Sequence, residues 1–335
     1  MGGGSWDQKL YSQSASYRAS TGQQNFAYSH DTMSKSTDEW VPHDDLDPKK
    51  IKDSVNHVRE SRDSAEHPES RAVITIFDVT GSMEQVPEVL QKKLEKLMTI
   101  IMMKGGLEHP QICVGAVGDA VTDHIPFQIA QFESDNKIDE HLRKIVLEGN
   151  GGGQIHESYA LAAYFAAKLT AIDCFEKRGQ KGYLFITGDE MPYDVTTKDQ
   201  IKKIFGIKEE ADIATDQIFK EAAEKYEIYF ILPNQTSYYK YPSVNEAWRA
   251  LLGDHLLRLE DPNAICELIA STIAVNEGID VNDVAGSLKA AGADPKAIDS
   301  VTRALSKVTT TAPVKGAKSS GALPKSGAKD KVKTL

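Results

Sequence analysis

Short apolar runs of strand length alternate with longer segments of helical periodicity from residue 71 onward, and this alternation constrains the fold most. The first run, at 72–77, reads Ala-Val-Ile-Thr-Ile-Phe, which is typical of a strand buried on both faces. Amphipathic helical spacing follows over 86–101. Further strands are predicted at 111–117, 125–132, 183–186, 228–232 and 256–259, with 125–132 as an antiparallel hairpin partner at one edge. The sequence therefore predicts a Rossmann-like, doubly wound α/β fold with a six-stranded, mostly parallel sheet and one antiparallel edge strand.

Composition divides the chain into four segments. Residues 1–70 are polar, and their Ser-, Gln-, Gly- and Tyr-rich beginning has no sustained period, so we expect a flexible, disordered arm. The α/β domain is predicted over 71–277, and a short extension with two amphipathic helices follows over 278–308. Residues 309–335 carry six Lys and one Asp among small residues, which predicts a disordered, Lys-rich tail.

Charge and cysteine content narrow the classes of function. The net charge of −10 argues against nucleic-acid binding, which usually needs a basic face. We expect no membrane association, since no apolar run approaches the ~20 residues of a membrane-spanning helix and the N-terminus lacks the pattern of a signal peptide. The three cysteines are widely spaced, which predicts buried free thiols in a reducing compartment; they are Cys113, Cys174 and Cys266. We therefore expect a cytoplasmic protein or a virion component.

Oxygen-bearing side chains collect where two predicted strands end. The first strand runs into Asp78-Val79-Thr80-Gly81-Ser82, so a carboxylate and two hydroxyls at alternating positions lead into a helix. The strand at 183–186 runs into Thr187-Gly188-Asp189-Glu190 and brings a second carboxylate to the same edge of the sheet, where ligands of such folds bind. A glycine-rich loop at 149–153 lies between them in sequence. Hard oxygen donors of this kind suit Mg²⁺ or Mn²⁺.

This order of motifs resembles the von Willebrand factor A (vWA) family with its metal-ion-dependent adhesion site (MIDAS). The motifs are a strand with D-x-T-x-S, a glycine-rich loop before a helix, and a strand with T-G-D, and the resemblance covers about 71–276. It implies that Asp78, Thr80 and Ser82 form the first ligand set and that Asp189 is a second acid acting through metal-bound water. It also implies a non-enzymatic site that binds a carboxylate of a partner protein through the ion.

The glycine-rich loop departs from the family's pattern. The family usually places a Thr there as a further metal ligand, and no Thr occurs between 149 and 159. Gln154 stands nearest to that position, and its amide oxygen is a hard neutral donor, so we predict that it takes the place of the Thr. Glu157 and Ser158 are the alternatives. If Glu157 reached the ion, its charge would tighten metal binding and weaken the attraction for a partner's acid.

Two further positions bear on the site. The family's second acid commonly follows Thr directly, whereas Gly188 separates Thr187 from Asp189 here. Asp119, in the turn after the second strand, is an accessory candidate because that turn can lie at the same edge; solvated turn residues are the plainer reading.

A haloacid-dehalogenase-like phosphotransferase is the strongest alternative. Phe77–Ser82 also resembles the nucleophile motif of that family, and Gly188–Asp194 resembles its late acidic motif, which holds Mg²⁺. Asp78 would then attack phosphorus and form an aspartyl phosphate. Against this interpretation, a helix follows the motif almost at once, and neither Lys177 nor Lys181 has a clear position at a strand end.

A structural subunit with a vestigial metal site is a third interpretation, which the missing loop Thr keeps open. The wider sequence is similar to intracellular vWA proteins of bacteria and their phages, and this similarity implies a place in a larger assembly. We therefore predict a metal-dependent adhesion or assembly factor that binds an acidic group of a protein partner through Mg²⁺ or Mn²⁺.

Overall fold

A six-stranded sheet forms the centre of the computed structural model, which describes residues 4–23, 25–50, 58–83, 86–102, 106–149, 155–306 and 308. The strands are β1 (Arg59–Ser61), β2 (Arg71–Asp78), β3 (Pro110–Val117), β4 (Phe127–Ile129), β5 (His156–Glu157), β6 (Thr170–Ile172), β7 (Gly182–Thr187), β8 (Met191–Pro192), β9 (Val195–Thr196), β10 (Ile213–Ala214), β11 (Tyr226–Pro233) and β12 (Leu256–Leu259). The helices are α1 (Gln8–Thr21), α2 (Ala27–Met33), α3 (Val86–Ile101), α4 (Lys137–Arg143), α5 (Ala160–Lys168), α6 (Asp173–Arg178), α7 (Lys198–Phe205), α8 (Thr215–Lys225), α9 (Pro242–Leu252), α10 (Ile265–Asn276), α11 (Val284–Ala290) and α12 (Pro295–Leu305).

The sheet has the strand order β12-β11-β7-β2-β3-β4. All neighbours are parallel except β3 and β4, which pair antiparallel at one edge. The prediction of a mostly parallel, six-stranded sheet with one antiparallel edge strand is confirmed. Five strands lie within two residues of their predicted bounds, and the edge strand is shorter than predicted.

Helices cover both faces of this sheet because its central strands are apolar on both faces. Val73 and Phe77 of β2 belong to one buried core, which includes side chains of α3 and α10. Ile74 and Ile76 lie on the opposite face of the sheet and belong to a second core with side chains of α5, α8 and α9. The near-continuous apolar run that the sequence shows at 72–77 is therefore what a strand between two helical layers requires.

The register of the parallel strands brings two chain segments to one edge. Phe77 pairs with Thr187, and Asp78 pairs with Val117, so β2, β3 and β7 end at the same level. A 3₁₀ turn over Gly81–Met83 follows β2 before α3 begins. Asp78 and the residues after Thr187 therefore emerge side by side.

The N-terminal segment differs from the flexible arm that the sequence predicted. Its described residues form α1, α2 and β1, and β1 pairs in parallel with β6. Tyr11 and Leu46 are buried in the same core as Val73, and the carbonyl oxygen of Leu46 accepts a hydrogen bond from the N–H of Ile129. Single apolar residues in a polar segment carry no period, so pattern analysis missed these contacts.

The C-terminal extension contains the two expected helices, α11 and α12, and both contribute buried residues to the core beneath α10. The predicted tail at 309–335 lies outside the described residues. The three cysteines are buried, and none of them forms a disulfide, as expected. In the part of the chain that the structure describes, no helix is long and apolar enough to cross a bilayer.

Candidate metal site

Three buried carboxylates meet at the carboxyl edge of the sheet. They belong to Asp78, Glu157 and Glu190, and one oxygen from each lies within 4.8 Å of the others. Asp78 ends β2, Glu157 ends the two-residue strand β5, and Glu190 lies between β7 and β8. Because β5 pairs in parallel with β8, the segments that carry the two glutamates run side by side. We call these three residues the acid cluster.

Hydrogen bonds hold both carboxylate oxygens of Asp78. Its Oδ1 accepts from the backbone N–H of Thr80 at 2.7 Å and from the Thr80 hydroxyl at 2.5 Å. Its Oδ2 accepts from the Tyr159 hydroxyl at 2.6 Å. A hydroxyl that donates its proton to a carboxylate keeps lone pairs that can face a cation, so the contact suits the ligand role predicted for Thr80.

Tyr159 connects the strand ends, and sequence analysis did not identify it. Its hydroxyl oxygen also accepts from the backbone N–H groups of Asp189, at 3.2 Å, and Glu190, at 3.3 Å. Its ring is fully buried and packs edge-on against Trp248, whose Nε1 donates to the carbonyl oxygen of Glu190 at 2.8 Å. The available signal was a tyrosine at the start of an apolar helix, immediately after the polar loop.

Gly188 is required because Tyr159 lies against its backbone. A Cβ at this position would lie 2.1 Å from the Tyr159 hydroxyl oxygen, closer than any real contact. The glycine that separates Thr187 from Asp189, a departure from the vWA pattern, therefore makes room for this tyrosine.

Burial makes ionisation of the acid cluster unfavourable. Burial first, and then the nearby charge of Asp189, raises the pKa of Asp78 to about 7, although hydrogen bonds from Thr80 and Tyr159 oppose the shift. Burial and the charge of Asp78 raise the pKa of Glu190 to about 9 and raise that of Glu157 well above its usual range. At neutral pH these groups must therefore keep protons or take up a cation.

The donor set fits a divalent cation. Mg²⁺ binds oxygen at about 2.0–2.1 Å, so opposite ligands of an octahedral site lie about 4.2 Å apart, and Ca²⁺ allows up to about 5.2 Å. Carboxylate oxygens within 4.8 Å of one another can surround such an ion after small side-chain movements. Carboxylates and hydroxyls are also the ligand types that hard cations prefer.

The remaining acids of the sequence prediction lie around this cluster. Asp189 is fully buried, but its Oδ2 accepts from the backbone N–H of Tyr238 at 3.1 Å, and it is not one of the three clustered carboxylates. Glu190, its neighbour, is the acid of that segment whose oxygen joins the acid cluster, while the charge of Asp189 acts on the pKa of Asp78. Asp119 accepts from the Tyr193 hydroxyl at 3.2 Å and from the Ser158 hydroxyl at 3.3 Å. The first contact ties Asp119 to Tyr193, and the second ties it to Ser158, which directly follows Glu157 of the acid cluster.

The side chains of two predicted ligands lie outside the part of the chain that the structure describes. Ser82 lies in the 3₁₀ turn after β2, and its side chain is outside what the structure describes. Gln154 lies outside the described residues. Glu157, considered second to Gln154 for the loop position, is the loop residue that the described structure brings to Asp78.

The lysines considered for a phosphotransferase lie at the other end of the sheet. Lys181 directly precedes β7, and its Nζ lies 3.4 Å from Glu227. Lys177 belongs to α6, and its Nζ lies 2.6 Å from Asp173. Neither contact directs a lysine toward Asp78.

Comparisons with known proteins do not identify a function for this chain. No protein-family profile and no curated protein matches the chain. Similar solved structures include the pilus adhesin SpaC from Lactobacillus rhamnosus GG in its open conformation, at 11% identity and a TM-score of 0.45, covering 64% of this chain and 31% of the adhesin. Proximal thread matrix protein 1 from the mussel byssus is similar at 12% identity and a TM-score of 0.39, covering 64% of this chain and 49% of that protein. The chain therefore spans less than half the length of either protein.

Proposed function

We propose that this chain is a vWA-type interaction module that binds Mg²⁺ or Mn²⁺ in the acid cluster and, through that ion, an acidic group of a protein partner. One observation carries the proposal: three separate chain segments bring carboxylates within 4.8 Å of one another inside the protein. Buried like charges are costly, so this arrangement favours a positive ion as their common partner.

The position of the cluster within the sheet supports the vWA interpretation. Counted along the chain, the six strands of the main sheet have the order 3-2-1-4-5-6 with strand 3 antiparallel, and this order supports the proposal of a Rossmann-like, doubly wound fold. In such sheets ligands bind at the carboxyl ends of the strands, where the order reverses. β2 and β7 are the strands on either side of this point, and Asp78 and Glu190 lie at their ends.

The contacts of Asp78 favour binding over phosphoryl transfer. Its side chain is fully buried, and both of its oxygens accept hydrogen bonds from Thr80 and Tyr159. A nucleophile needs an oxygen directed at an incoming phosphorus atom. We therefore propose a non-enzymatic role.

Glu157 gives the site more negative charge than the family resemblance implies. Asp78 and Glu157 together would neutralise the two charges of Mg²⁺, so attraction for a partner's carboxylate depends on Glu190 keeping its proton. This observation favours a second candidate function, in which the ion is fully neutralised internally and only stabilises the fold of a structural subunit.

Metal-dependent capture distinguishes the two candidates. We expect the immobilised full-length chain to retain a partner from a native extract in Mg²⁺ and to release it in EDTA, and we expect Asp78→Asn to abolish retention. If Mg²⁺ raises the melting temperature but retains no protein, the ion is structural. If Mg²⁺ has neither effect, the proposed function is wrong.

The proposed setting follows from the sequence. Buried cysteines without disulfides suit the cytoplasm, or a virion assembled there, and a binding module suits a place in a larger assembly. We propose neither nucleic acid nor a membrane as its ligand.

A further inference from the structure

A polar cavity of about 350 Å³ lies between the N-terminal segment and α4. Its walls come from residues before and within β1, from the chain after β4, and from α4. Glu133, on one wall, pairs with Ile112 near the start of β3, so the cavity is remote from the carboxyl edge that holds the acid cluster. Its volume is near the lower limit of small-molecule sites, which suits a ligand of few atoms.

Three side chains of this cavity have a buried polar atom without a hydrogen-bond partner. The atoms are Nε of Arg59, Oε2 of Glu133 and Nδ1 of His141. The three side chains are more than nine-tenths buried, with exposed fractions of 4%, 5% and 8%. These three atoms are shielded from the open space, so an occupant would reach them only after small movements of the three side chains. Buried polar groups are nearly always hydrogen-bonded, so three unpartnered ones beside one cavity favour a polar occupant.

Arg59 supplies the cation of this cavity. Its Nη2 donates to the carbonyl oxygens of Ile129, at 3.0 Å, and Asp47, at 3.4 Å, which are neutral acceptors. The nearby acids Asp44 and Asp45 are instead paired with Lys50, at 2.8 Å, and Lys144, at 2.7 Å. A buried guanidinium that bonds only to carbonyl groups is well suited to bind an anion.

Glu133 supplies the matching carboxyl group, and because burial raises its pKa, a bound ammonium group would favour its ionised form. Its Oε1 lies 4.0 Å from Lys137 Nζ, the limit of an ion pair, while its Oε2 has no partner. His141 adds a neutral hydrogen-bonding nitrogen, because burial lowers its pKa to about 4. The cavity therefore has an unpaired donor with positive charge, an unpaired acceptor with negative charge and a neutral polar atom.

We propose that this cavity binds a small zwitterion of the amino-acid class, with its carboxylate on Arg59 and its ammonium group on Glu133. Four acidic and four Lys or Arg side chains line the cavity, so a ligand with a single charge would meet as many like as opposite charges. A zwitterion satisfies both unpaired groups at once. This site is independent of the proposed metal-dependent function.

Calorimetric titration of the full-length chain in EDTA tests this site without any contribution from the acid cluster. Pools of the common L-amino acids at millimolar concentration are the probes, and acetate and methylammonium are the matched singly charged probes. We expect at least one amino acid to bind and neither singly charged probe to do so. Acetate binding as tightly as the best amino acid, or no binding from any pool, would overturn the proposal.

Variants then locate the binding. We expect Glu133→Gln to weaken binding of the best amino acid by about tenfold or more, since it removes the charge but keeps the shape. Arg59→Lys keeps the charge, removes the Nε–H and should weaken binding similarly; if it does not fold, Glu133→Gln decides alone. Glu210→Gln changes an exposed glutamate outside the cavity and is the matched control. Unchanged affinity in Glu133→Gln would contradict the assignment.

Discussion

Two groups of carboxylates at opposite ends of the sheet have pKa values that are shifted in opposite directions. In the acid cluster, burial and like charges raise the pKa values. In the second group, which we call the ion-pair cluster, Asp63 and Asp173 contact Arg62, Lys177 and Arg178 at 2.6–3.3 Å. Burial alone would raise the pKa of both aspartates, but hydrogen bonds from these basic side chains lower it below the usual value.

The two clusters differ in where the charge that compensates their carboxylates comes from. The ion-pair cluster lies at the amino end of β2, where Arg178 also donates to the carbonyl oxygen of Ser70, and its compensation is built into the chain. The hydrogen bonds to Asp78 come from neutral hydroxyl and amide groups. The first arrangement stabilises the fold, whereas the second leaves the charge to be compensated by protons or by the ion that we propose.

Among the substitutions, we expect Gly188→Ala to have the largest effect on the free energy of unfolding. The new Cβ would lie 2.1 Å from the Tyr159 hydroxyl oxygen, so a buried ring must move. We expect a loss of about 3 kcal/mol in the free energy of unfolding, measured by chemical denaturation, together with loss of metal binding.

Gly286→Ala is the matched control, because nothing lies within 4 Å of a Cβ at that position of α11. It should be neutral, or stabilising by about 0.5–1 kcal/mol. Equal stability of the two variants would mean that Tyr159 does not hold the strand ends together.

Replacing one acid in each cluster should give different results in EDTA. Asp63→Asn removes the charge that pairs with Arg178 and Lys177 and turns one of the two acceptor oxygens into a donor group, and it should cost about 2 kcal/mol, whether or not metal is present. Glu190→Gln removes the cost of keeping a buried carboxyl group protonated at neutral pH and should leave the metal-free protein unchanged or more stable. Thermal unfolding measures both, and destabilisation of metal-free protein by Glu190→Gln comparable with that of Asp63→Asn would remove the contrast between the clusters.

Sequence patterns predicted the sheet, and the position of Asp78 at the end of its first strand, because both depend on local order. The strand at 72–77 is apolar on both faces, and the motif that begins at Asp78 follows it directly. The parallel arrangement then fixed which edge Asp78 would occupy.

The sequence was less informative where spacing between segments decides the contact. Asp189 and Glu190 are adjacent acids whose backbone N–H groups both donate to the Tyr159 hydroxyl oxygen, whereas the backbone N–H of Tyr238 donates to the carboxylate of Asp189. Tyr159 acts through one hydroxyl in an otherwise apolar environment, which no periodicity records. Leu46 was missed for the same reason in the N-terminal segment.

The acid cluster should make stability depend on pH in the opposite direction to the ion-pair cluster. The folded-state pKa of Glu190, about 9, lies above its unfolded value of about 4.5, so the folded state binds the proton more tightly. Its contribution is complete below about pH 4.5 and is lost as pH rises toward 9. In EDTA, the melting temperature should therefore fall over that range, and the fall should be smaller in Glu190→Gln.

Mg²⁺ should offset this fall, since a cation favours the ionised carboxylate and its apparent affinity rises as the proton leaves. For Asp63 and Asp173 the lowered pKa values give the reverse sign, with stability lost only as acid protonates them. Identical pH profiles of parent and Glu190→Gln would show that Glu190 does not carry the raised pKa.

A smaller effect distinguishes the two loop candidates. With Glu157 in the acid cluster, we expect Glu157→Gln to weaken Mn²⁺ binding by about tenfold, or about 1.4 kcal/mol, while sparing or improving partner capture. If Gln154 is the ligand, Gln154→Ala weakens both metal and partner binding instead. A normal Mn²⁺ affinity in Gln154→Ala would count against Gln154.

Direct titration of Mn²⁺ into the folded chain, followed by the electron paramagnetic resonance of the free ion, tests the central claim. The account predicts one bound ion per chain, an affinity at least about a hundredfold lower in Asp78→Asn, and an unchanged affinity in Asp63→Asn, whose acid is already compensated. Binding that survives in Asp78→Asn, or a folded parent that takes up no ion at millimolar concentration, would contradict a divalent-cation site in the acid cluster.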